Sequence, residues 1–337
     1  MNRVLIVFPN WIGDCLMATP ALRALKENKK SSFIGIIVHE RVSDIFKNSP
    51  FVDRIIESNF PKNIFGKLSL ISKISREKFD TVFLLKPSFT KSFVCKVSGI
   101  KDIVGFKSKK FTFINKPIEP AEADVHKMDY YLRLLEKSGL KVEKKKSEFF
   151  LSDQERKQAQ AFLKDLPLKK FRIAVHPRAN WDLKMWPAER FASLCDRLIE
   201  DLECCLIITG TKQDLDLCSR IGGLMVNKPY ILAGKTNLRE LAALLKEVDL
   251  FISPDTGIMH LAASINTPLI ALFGATSPFL NGPRADGAMK IIYNDTGCEK
   301  PCYKLGCRDN ICMKNIFVEE VFKAAKEMLL VSRQQRH

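Results

Sequence analysis

The chain has 337 residues, 46% of them hydrophobic and 27% charged, with a formal net charge of +16 at pH 7. This composition is typical of a soluble globular protein, and the length exceeds one ordinary hydrophobic core, so we expect two domains. The absence of any run of about 18 apolar residues argues against a membrane-spanning helix.

The excess positive charge lies in the first half of the chain. Residues 1–165 hold 31 Lys+Arg against 19 Asp+Glu, whereas residues 166–337 hold 23 against 19. Such a field favours an anionic partner, namely nucleic acid, a membrane face or a phosphorylated acceptor. A lysine-rich, solvated surface with no partner is an equally good interpretation of the charge alone.

The N-terminal residues MNRVLIVF resemble the apolar core of a signal peptide. That core ends at Pro9, and Asp14 follows soon after, so we interpret Arg3–Phe8 as a first buried strand. Ten cysteines without an export signal predict reduced thiols and a cytoplasmic protein.

Apolar runs alternate with helical patterns through the first half, which is typical of a doubly wound α/β sheet. After the first strand we expect a helix over Cys15–Leu25. The other strands predicted here are Phe33–Val38, Asp53–Glu57, Asp80–Leu85 and Asp102–Phe106, and the other helices include Ile64–Ile74 and Val125–Ser138.

The loop PNWIGD lies between the first strand and the first helix. Asp14 in this loop is a candidate general base for a sugar hydroxyl, Gly13 allows a close approach, and Trp11 could form a wall. The competing interpretation is that Asp14 caps the helix after it, which is a common role for aspartate.

The segment Leu166–Lys170 reads as a hinge, after which the alternation restarts. Strands are predicted at 171–176, Cys204–Thr209, Tyr230–Leu232, Val248–Ile252 and Pro268–Phe273, with helices at Pro187–Glu200, Asp214–Ile221, Leu238–Lys246 and Phe317–Leu330. We therefore expect an N-terminal Rossmann-like domain over residues 1–165 and a second over 171–316, facing each other across a cleft.

Neither GxGxxG nor GxxxxGK occurs, which argues against a dinucleotide dehydrogenase and a P-loop phosphotransferase. The stretch SPDTGIMHLAA, which follows a predicted buried strand, is the best anion site. Its helix would begin at Thr256-Gly257, pointing backbone N–H groups at a ligand above the sheet. Thr256 is expected to bind the anion or cap the helix, and Gly257 to permit close contact.

Other candidates for the same site precede predicted helices of the second half. Lys184 and Arg178 lie in HPRANWDLKMWP, and cations beside helix amides suit a diphosphate. Thr211 follows the next strand, and Asp214 could bind a ribose or start a helix. His260 is a candidate phosphate contact, although a lone histidine is more often a packing residue.

Four cysteines lie close together near the C-terminus: Cys298, Cys302, Cys307 and Cys312. They could bind zinc, but the paired CxxC spacing typical of zinc sites is absent. Reduced structural thiols with no metal are the default expectation.

The segments PNWIGDCLMATPALRALK, NWDLKMWPAERFASL and SPDTGIMHLAASINTPLIALFG together resemble the lipopolysaccharide heptosyltransferases of glycosyltransferase family nine. The resemblance is strongest to heptosyltransferase II. It implies the GT-B fold, with the C-terminal helix at 317–332 crossing back to the first domain. It also implies metal-independent, inverting transfer of heptose from ADP-heptose to a Kdo or heptose sugar of the lipid A-linked core, with no cofactor, at the cytoplasmic face of the inner membrane.

Carried over by position, the resemblance makes Asp14 the general base and Lys184 the diphosphate contact. Asn10, Trp11 and Gly13 fall on the acceptor side. The donor would lie among Asp255, Thr256, Gly257 and His260, with Thr211 and Asp214 nearby. The loop HPRANW departs from the family's small residues, and the ribose carboxylate has no clean match.

Two other functions fit parts of the sequence. One is a different GT-B enzyme, either a transferase using another nucleotide sugar or an epimerase. The other is a basic nucleic-acid-binding protein, against which no recognised nucleic-acid motif occurs, so we expect no nucleic-acid partner.

Overall fold

A computed structural model describes residues 3–109, 112–120, 124–302, 307 and 309–334. These residues form two compact units, which divide between Phe150 and Leu151. Each unit is a parallel sheet covered by helices. Each has the strand order of a Rossmann fold, so each has one point at which the order of the strands reverses.

In the first unit the described strands form a six-stranded sheet of order β3-β2-β1-β4-β5-β6. The strands are β1 (Arg3–Val7), β2 (Phe33–Val38), β3 (Arg54–Glu57), β4 (Thr81–Leu84), β5 (Asp102–Phe106) and β6 (Lys116–Ile118). The helices are α1 (Ile12–Ala18), α2 (Pro20–Asn28), α3 (Glu40–Ser43), α4 (Ile64–Arg76), α5 (Phe89–Val97) and α6 (Lys127–Glu136). The order reverses between β1 and β4, which pair in parallel.

The second unit repeats the pattern, with strand order β12-β11-β10-β7-β8-β9. The strands are β7 (Phe171–Val175), β8 (Cys204–Ile208), β9 (Tyr230–Ile231), β10 (Leu250–Pro254), β11 (Leu269–Phe273) and β12 (Met289–Tyr293). The α-helices are α7 (Asp153–Lys164), α8 (Ala188–Leu202), α9 (Leu215–Leu224), α10 (Leu238–Lys246), α11 (Gly257–Ser264), α12 (Pro278–Asn281), α13 (Ile311–Lys314) and α14 (Val318–Gln334), and 3₁₀ turns occur at Asp182–Lys184 and Lys212–Asp214. Here the order reverses between β7 and β10.

The predicted buried strands are present because their side chains are apolar on both faces. Leu5 and Ile6 of β1 are fully buried, as are Ile252 of β10 and Ile270 of β11. The first predicted helix is different: it begins three residues earlier than expected, at Ile12, and ends before Pro20. Proline has no N–H to continue a helix but fits the first position of a new one, so a second helix starts there.

Strands β6 and β12 and helix α7 are absent from the sequence prediction. Helix α7 also shifts the division of the chain, which the sequence places near residue 165. Ser152 and Glu155 form a capping box that starts α7, and Leu163 is buried. The helix packs on α10 in the second unit, where the guanidinium of Arg239 makes two hydrogen bonds to the Glu155 carboxylate.

The C-terminal helix α14 also belongs to the core of the second unit. The sequence analysis expects this helix to cross back to the first domain; within the second unit it packs against α8. Val321, Phe322, Ala325 and Leu329 share one buried cluster with strands of the second sheet. Val321, Ala325 and Leu329 recur every four residues and Phe322 lies beside Val321, so the four form one apolar face, which covers that sheet.

A helix that crosses a bilayer needs about 20 mostly apolar residues. Among the described residues, no helix combines the length and the apolar character needed to cross one.

The Glu155–Arg239 pair makes a prediction about stability. Glu155→Gln should lower the free energy of unfolding at pH 7 by about 2 kcal/mol, because the buried Arg239 loses a charged partner. Chemical denaturation measures this difference. The ion pair with Arg239 lowers the pKa of Glu155 from 4.5 to about 2, so the wild-type advantage should be complete above about pH 4.5 and shrink as the pH falls towards 2.

The matched control is Glu189→Gln, which removes the carboxylate of an exposed pair with Arg220. Exposed pairs contribute less than about 1 kcal/mol, so this variant should unfold almost as the wild type does. A Glu155→Gln protein as stable as the Glu189→Gln control would contradict the prediction.

Candidate active site

In the second unit, loops after three adjacent strands meet at the carboxyl edge of the sheet. These are the loops after β7, β10 and β11, and the reversal of strand order lies between the first two. Open α/β sheets bind ligands at such a point because neighbouring loops there turn away from each other. The candidate donor residues Lys184, Asp255 and Thr256 lie in two of these loops.

Lys184, Asp255 and Thr276 come from these three loops and contact one another. The Lys184 ammonium lies 2.7 Å from Asp255 Oδ2, and the Thr276 hydroxyl donates to the same oxygen over 2.6 Å. Asp255 is buried, and Lys184 is largely so. The lysine is thus held in one position at the edge of the sheet by a carboxylate that is itself fixed.

Helix α11 begins directly after Asp255. Thr256 is its N-cap, and its Oγ accepts a hydrogen bond from the Met259 amide at 3.1 Å. Of the two roles expected for Thr256, the structure shows the cap. The amide groups of the first turn, starting at Gly257, lie at the positive end of the helix dipole and suit an anion. His260 is buried one turn further on.

Thr211 and Asp214 contact each other after β8. The carboxylate of Asp214 accepts hydrogen bonds from both the amide and the hydroxyl of Thr211, at 2.8 and 2.7 Å, which forms a capping box. Its other oxygen, Oδ1, lies 3.7 Å from Arg178 Nε. One oxygen of Asp214 therefore binds Thr211, and the other faces the guanidinium of Arg178.

His176 is a buried residue of the same edge that the sequence analysis did not single out. Its Nδ1 lies 3.1 Å from the Thr209 hydroxyl, and that hydroxyl donates to the Val175 carbonyl. Because a hydroxyl has one hydrogen to donate, Nδ1 carries a proton and donates to Thr209. Burial lowers the pKa of His176 to about 4.

In the first unit, Asp14 lies in helix α1, directly after β1, beside the reversal of that sheet. Its side chain is buried, with 8% of the residue exposed. The Lys127 ammonium, from the first turn of α6, lies 2.8 Å from Asp14 Oδ1. The Tyr131 side chain is buried beside Asp14, and burial together with the Asp14 charge raises the pKa of Tyr131 well above its usual range.

The geometry of α1 decides against the capping role for Asp14. The helix starts at Ile12, its N-cap residue is Trp11, and no side chain caps it. Asp14 thus lies inside the first turn, and its carboxylate points to α6 instead. Such an arrangement suits a positioned base more than a helix cap.

The predicted acceptor residues lie next to Asp14. Trp11 is half exposed, and the Arg41 guanidinium stacks 4.3 Å above its ring. The Asn10 carbonyl accepts a hydrogen bond from Arg41 Nε at 2.8 Å. Gly13 is partly exposed in the same turn. Together they form an open, cationic rim beside the buried carboxylate.

The tail cysteines give no support for a zinc site. Cys298 and Cys307 are exposed, whereas Cys302 and Cys312 are partly buried, and burial raises the pKa of Cys312. In the part of the chain that the structure describes, no three His, Cys, Asp or Glu side chains are arranged to hold a metal ion.

Comparison with known proteins decides the family. The model of "Glycosyltransferase family 9 (heptosyltransferase)" matches residues 67–311. The chain belongs to this family. It is therefore a glycosyltransferase, as the sequence segments predicted.

Individual proteins support the assignment along the whole chain. Lipooligosaccharide heptosyltransferase 2 of Campylobacter jejuni serotype O:6 is 28% identical, over 97% of this chain and 99% of its own. A glycosyl transferase family 9 structure from Veillonella parvula is 25% identical with a TM-score of 0.85, covering 98% and 97% of the two chains. The Escherichia coli ADP-heptose lps heptosyltransferase II is similar in fold, with 20% identity, a TM-score of 0.81 and coverage of 98% and 99%. The predicted GT-B fold class is thereby confirmed.

Sequence reasoning about this glycosyltransferase missed several residues that contact the predicted ones, among them Arg41, which contacts Trp11 and Asn10. Thr276 follows β11, the strand next to β10, so the order of a Rossmann sheet gives a signal for it. Lys127 and Tyr131 lie on α6, far from Asp14 in sequence, and no local pattern connects them to it. Their contact with Asp14 depends on how α1 and α6 pack.

The His176 arrangement makes a prediction for the glycosyltransferase in solution. Its ring should stay neutral, with the proton on Nδ1, at every pH from about 5.5 to 8, because the ring is buried. Imidazole nitrogen shifts measured by NMR report both the charge and the tautomer, and a His176→Asn variant assigns the signal. A midpoint near the usual pKa of about 6.5 would contradict the prediction.

Proposed function

We propose that this family 9 enzyme transfers heptose from ADP-heptose to a heptose or Kdo sugar in the inner core of lipopolysaccharide, with inversion at the anomeric carbon. Asp14 acts as the base, and the second unit binds the nucleotide sugar. The observation that carries the proposal is the buried Asp14 carboxylate, paired with Lys127 beside the point where the strand order of the first sheet reverses. The similar proteins named for lipooligosaccharide and ADP-heptose support the choice of substrates.

Inverting transfer needs a base, an attacking hydroxyl in line with the bond that breaks, and a stabilised leaving group. The oxygen of the acceptor hydroxyl attacks the anomeric carbon, and Asp14 accepts the proton that this hydroxyl loses. The bond from that carbon to the diphosphate oxygen breaks, and its electron pair leaves with ADP. The chain's own groups thus account for every proton and electron pair.

The leaving group develops negative charge on the β-phosphate. Lys184 and the first amide groups of α11 oppose this charge, so the proposal needs no metal ion. Asp255 would repel a diphosphate if it were alone. Its ion pair with Lys184 offsets that repulsion, so we assign Asp255 the role of positioning the lysine.

The remaining predicted residues have auxiliary roles in the proposal. Thr256 and Gly257 shape the start of α11, and His260 supports the same turn from within. Asp214, with Thr211 behind it, faces the ribose and adenine side of the donor. On the acceptor side, Arg41 and the rim at residues 10–13 contact the core sugar, whose phosphates suit the positive charge of this unit.

The base is tested by Asp14→Asn. This variant should lose about 10²- to 10⁴-fold in kcat while the KM for the donor stays nearly unchanged, because the amide accepts no proton yet keeps the shape. ADP release from ADP-heptose in the presence of a core acceptor measures the rate. Glu119→Gln removes a carboxylate from an exposed pair in the same unit and should be fully active. Retention of more than about a tenth of the wild-type kcat would exclude Asp14 as the base.

The donor site is tested by Lys184→Met. Loss of a charge-assisted contact to the diphosphate should lower kcat/KM for ADP-heptose by about 10- to 100-fold, with activity unchanged by a chelator. Lys290→Met is the matched control, because Lys290 is an exposed lysine on β12 of the same sheet. Equal activity of the two variants, or faster turnover with a UDP-sugar than with ADP-heptose, would reject the assigned donor site.

A further inference from the structure

Four large apolar side chains are exposed at one edge of the first unit. Ile64, Phe65 and Leu68 lie in the first turns of α4, and Phe89 begins α5. Phe65 is 81% exposed and the other three are more than half exposed. Solvated aromatic and aliphatic side chains grouped in this way are typical of an interaction site. We call this group the apolar edge.

The apolar edge lies on the same side of the sheet as Asp14. Helices α4 and α5 follow the parallel strands β3 and β4, so their first turns lie at the carboxyl edge, where α1 also starts. The two helices pack together. The Lys91 ammonium of α5 lies 5.6 Å from the Phe60 ring centroid, just before α4, which makes the two first turns one surface.

The charge around the apolar edge is mainly positive, and the exposed Glu57 at the end of β3 is the carboxylate next to it in sequence. Residues 58–76 and 81–101 contain eight lysines and arginines and no aspartate or glutamate. Lys62 and Lys86 are exposed beside the apolar side chains. Burial and the neighbouring Lys86 lower the pKa of Lys91 to about 8, so its ammonium is still mostly charged at pH 7.

The acidic residues between these two segments lie away from the apolar edge. Glu77 and Asp80 follow the C-terminal end of α4, where Glu77 pairs with Arg3 and Arg54. Asp80 accepts a hydrogen bond from the Arg3 amide. These two carboxylates are therefore used at the opposite end of the helix, and Glu57 alone does not balance the lysines and arginines of the two segments.

We propose that the apolar edge and its lysines dock the protein on an anionic phospholipid bilayer. The four apolar side chains enter the interfacial layer, and the lysines bind lipid phosphates. A second copy of the chain fits poorly, because it would bring two sets of lysines together. The inference rests on the proposed function in one respect: it orients the edge that bears Asp14 towards a membrane that holds a lipid-linked acceptor.

Vesicle flotation tests the proposal with the full chain. Wild-type protein should float with vesicles that contain about 30% phosphatidylglycerol, and at least tenfold less with pure phosphatidylcholine or at high salt. The double variant F65S/L68S should bind the anionic vesicles at least tenfold more weakly, because two apolar side chains no longer enter the interface. Lys62→Gln should weaken binding about fivefold, as expected for the loss of one cation near the surface.

Phe279→Ser is the matched control, since Phe279 is 80% exposed but belongs to the second unit. It should bind vesicles as the wild type does. Transfer to a soluble, deacylated acceptor should be the same in F65S/L68S and wild type, which shows that the variant is folded. Unchanged vesicle binding by F65S/L68S would overturn the docking proposal, as would an equal loss in Phe279→Ser.

Two further outcomes separate the proposals. Wild-type protein that transfers heptose yet ignores anionic vesicles would overturn the docking surface and leave the function standing. Protein that binds the vesicles through the apolar edge but transfers no heptose would overturn the function alone. If the apolar edge captured an acidic protein and the chain bound no vesicles, the membrane proposal would be overturned and the surface would be a protein-binding site.

Discussion

The structure depends on the parallel pairing of strands that are buried on both faces. Within each sheet, neighbouring strands pair through backbone hydrogen bonds, and the described pairs are all parallel. The consequence is that all βα loops of a unit meet at one edge. The point of reversal then leaves a crevice beside the first strand of each unit. Asp14 follows one of these strands, and Lys184 lies in the loop after the other.

At that edge, buried charges are held in pairs. Asp14 pairs with Lys127, and Asp255 pairs with Lys184. An unpaired charge in such a place costs several kcal/mol, whereas a pair fixes both side chains in one geometry. Glu155 and Arg239 form a similar ion pair away from either carboxyl edge. This pair attaches α7 to α10 of the second unit. An ion pair alone therefore does not identify a catalytic group. The group must also lie near the point where the strand order of its sheet reverses.

The two units differ in charge although they share a fold. The basic excess lies in the unit that carries Asp14, and its lysines surround exposed aromatic side chains on α4 and α5. In the second unit the cations near the edge, Lys184 and Arg178, are matched with aspartates. One unit thus presents an uncompensated field suited to an anionic surface, and the other a compensated site suited to one small ligand. This difference in charge fits the proposed reaction, in which the acceptor is lipid-linked and the donor is a small nucleotide sugar.

By itself, the sequence determined the elements whose signal is local. Apolar runs gave the central strands, Thr256 and Gly257 gave the start of α11, and three segments identified the glycosyltransferase family. Tertiary structure decided what depends on packing between distant segments. It placed Lys127 on Asp14 and Thr276 on Asp255, attached α7 and α14 to the second unit, and turned Asp14 from a possible cap into a buried, paired carboxylate. The physical reason is that periodicity reports which face of an element is apolar, whereas the neighbour that covers this face is chosen only when the whole core closes.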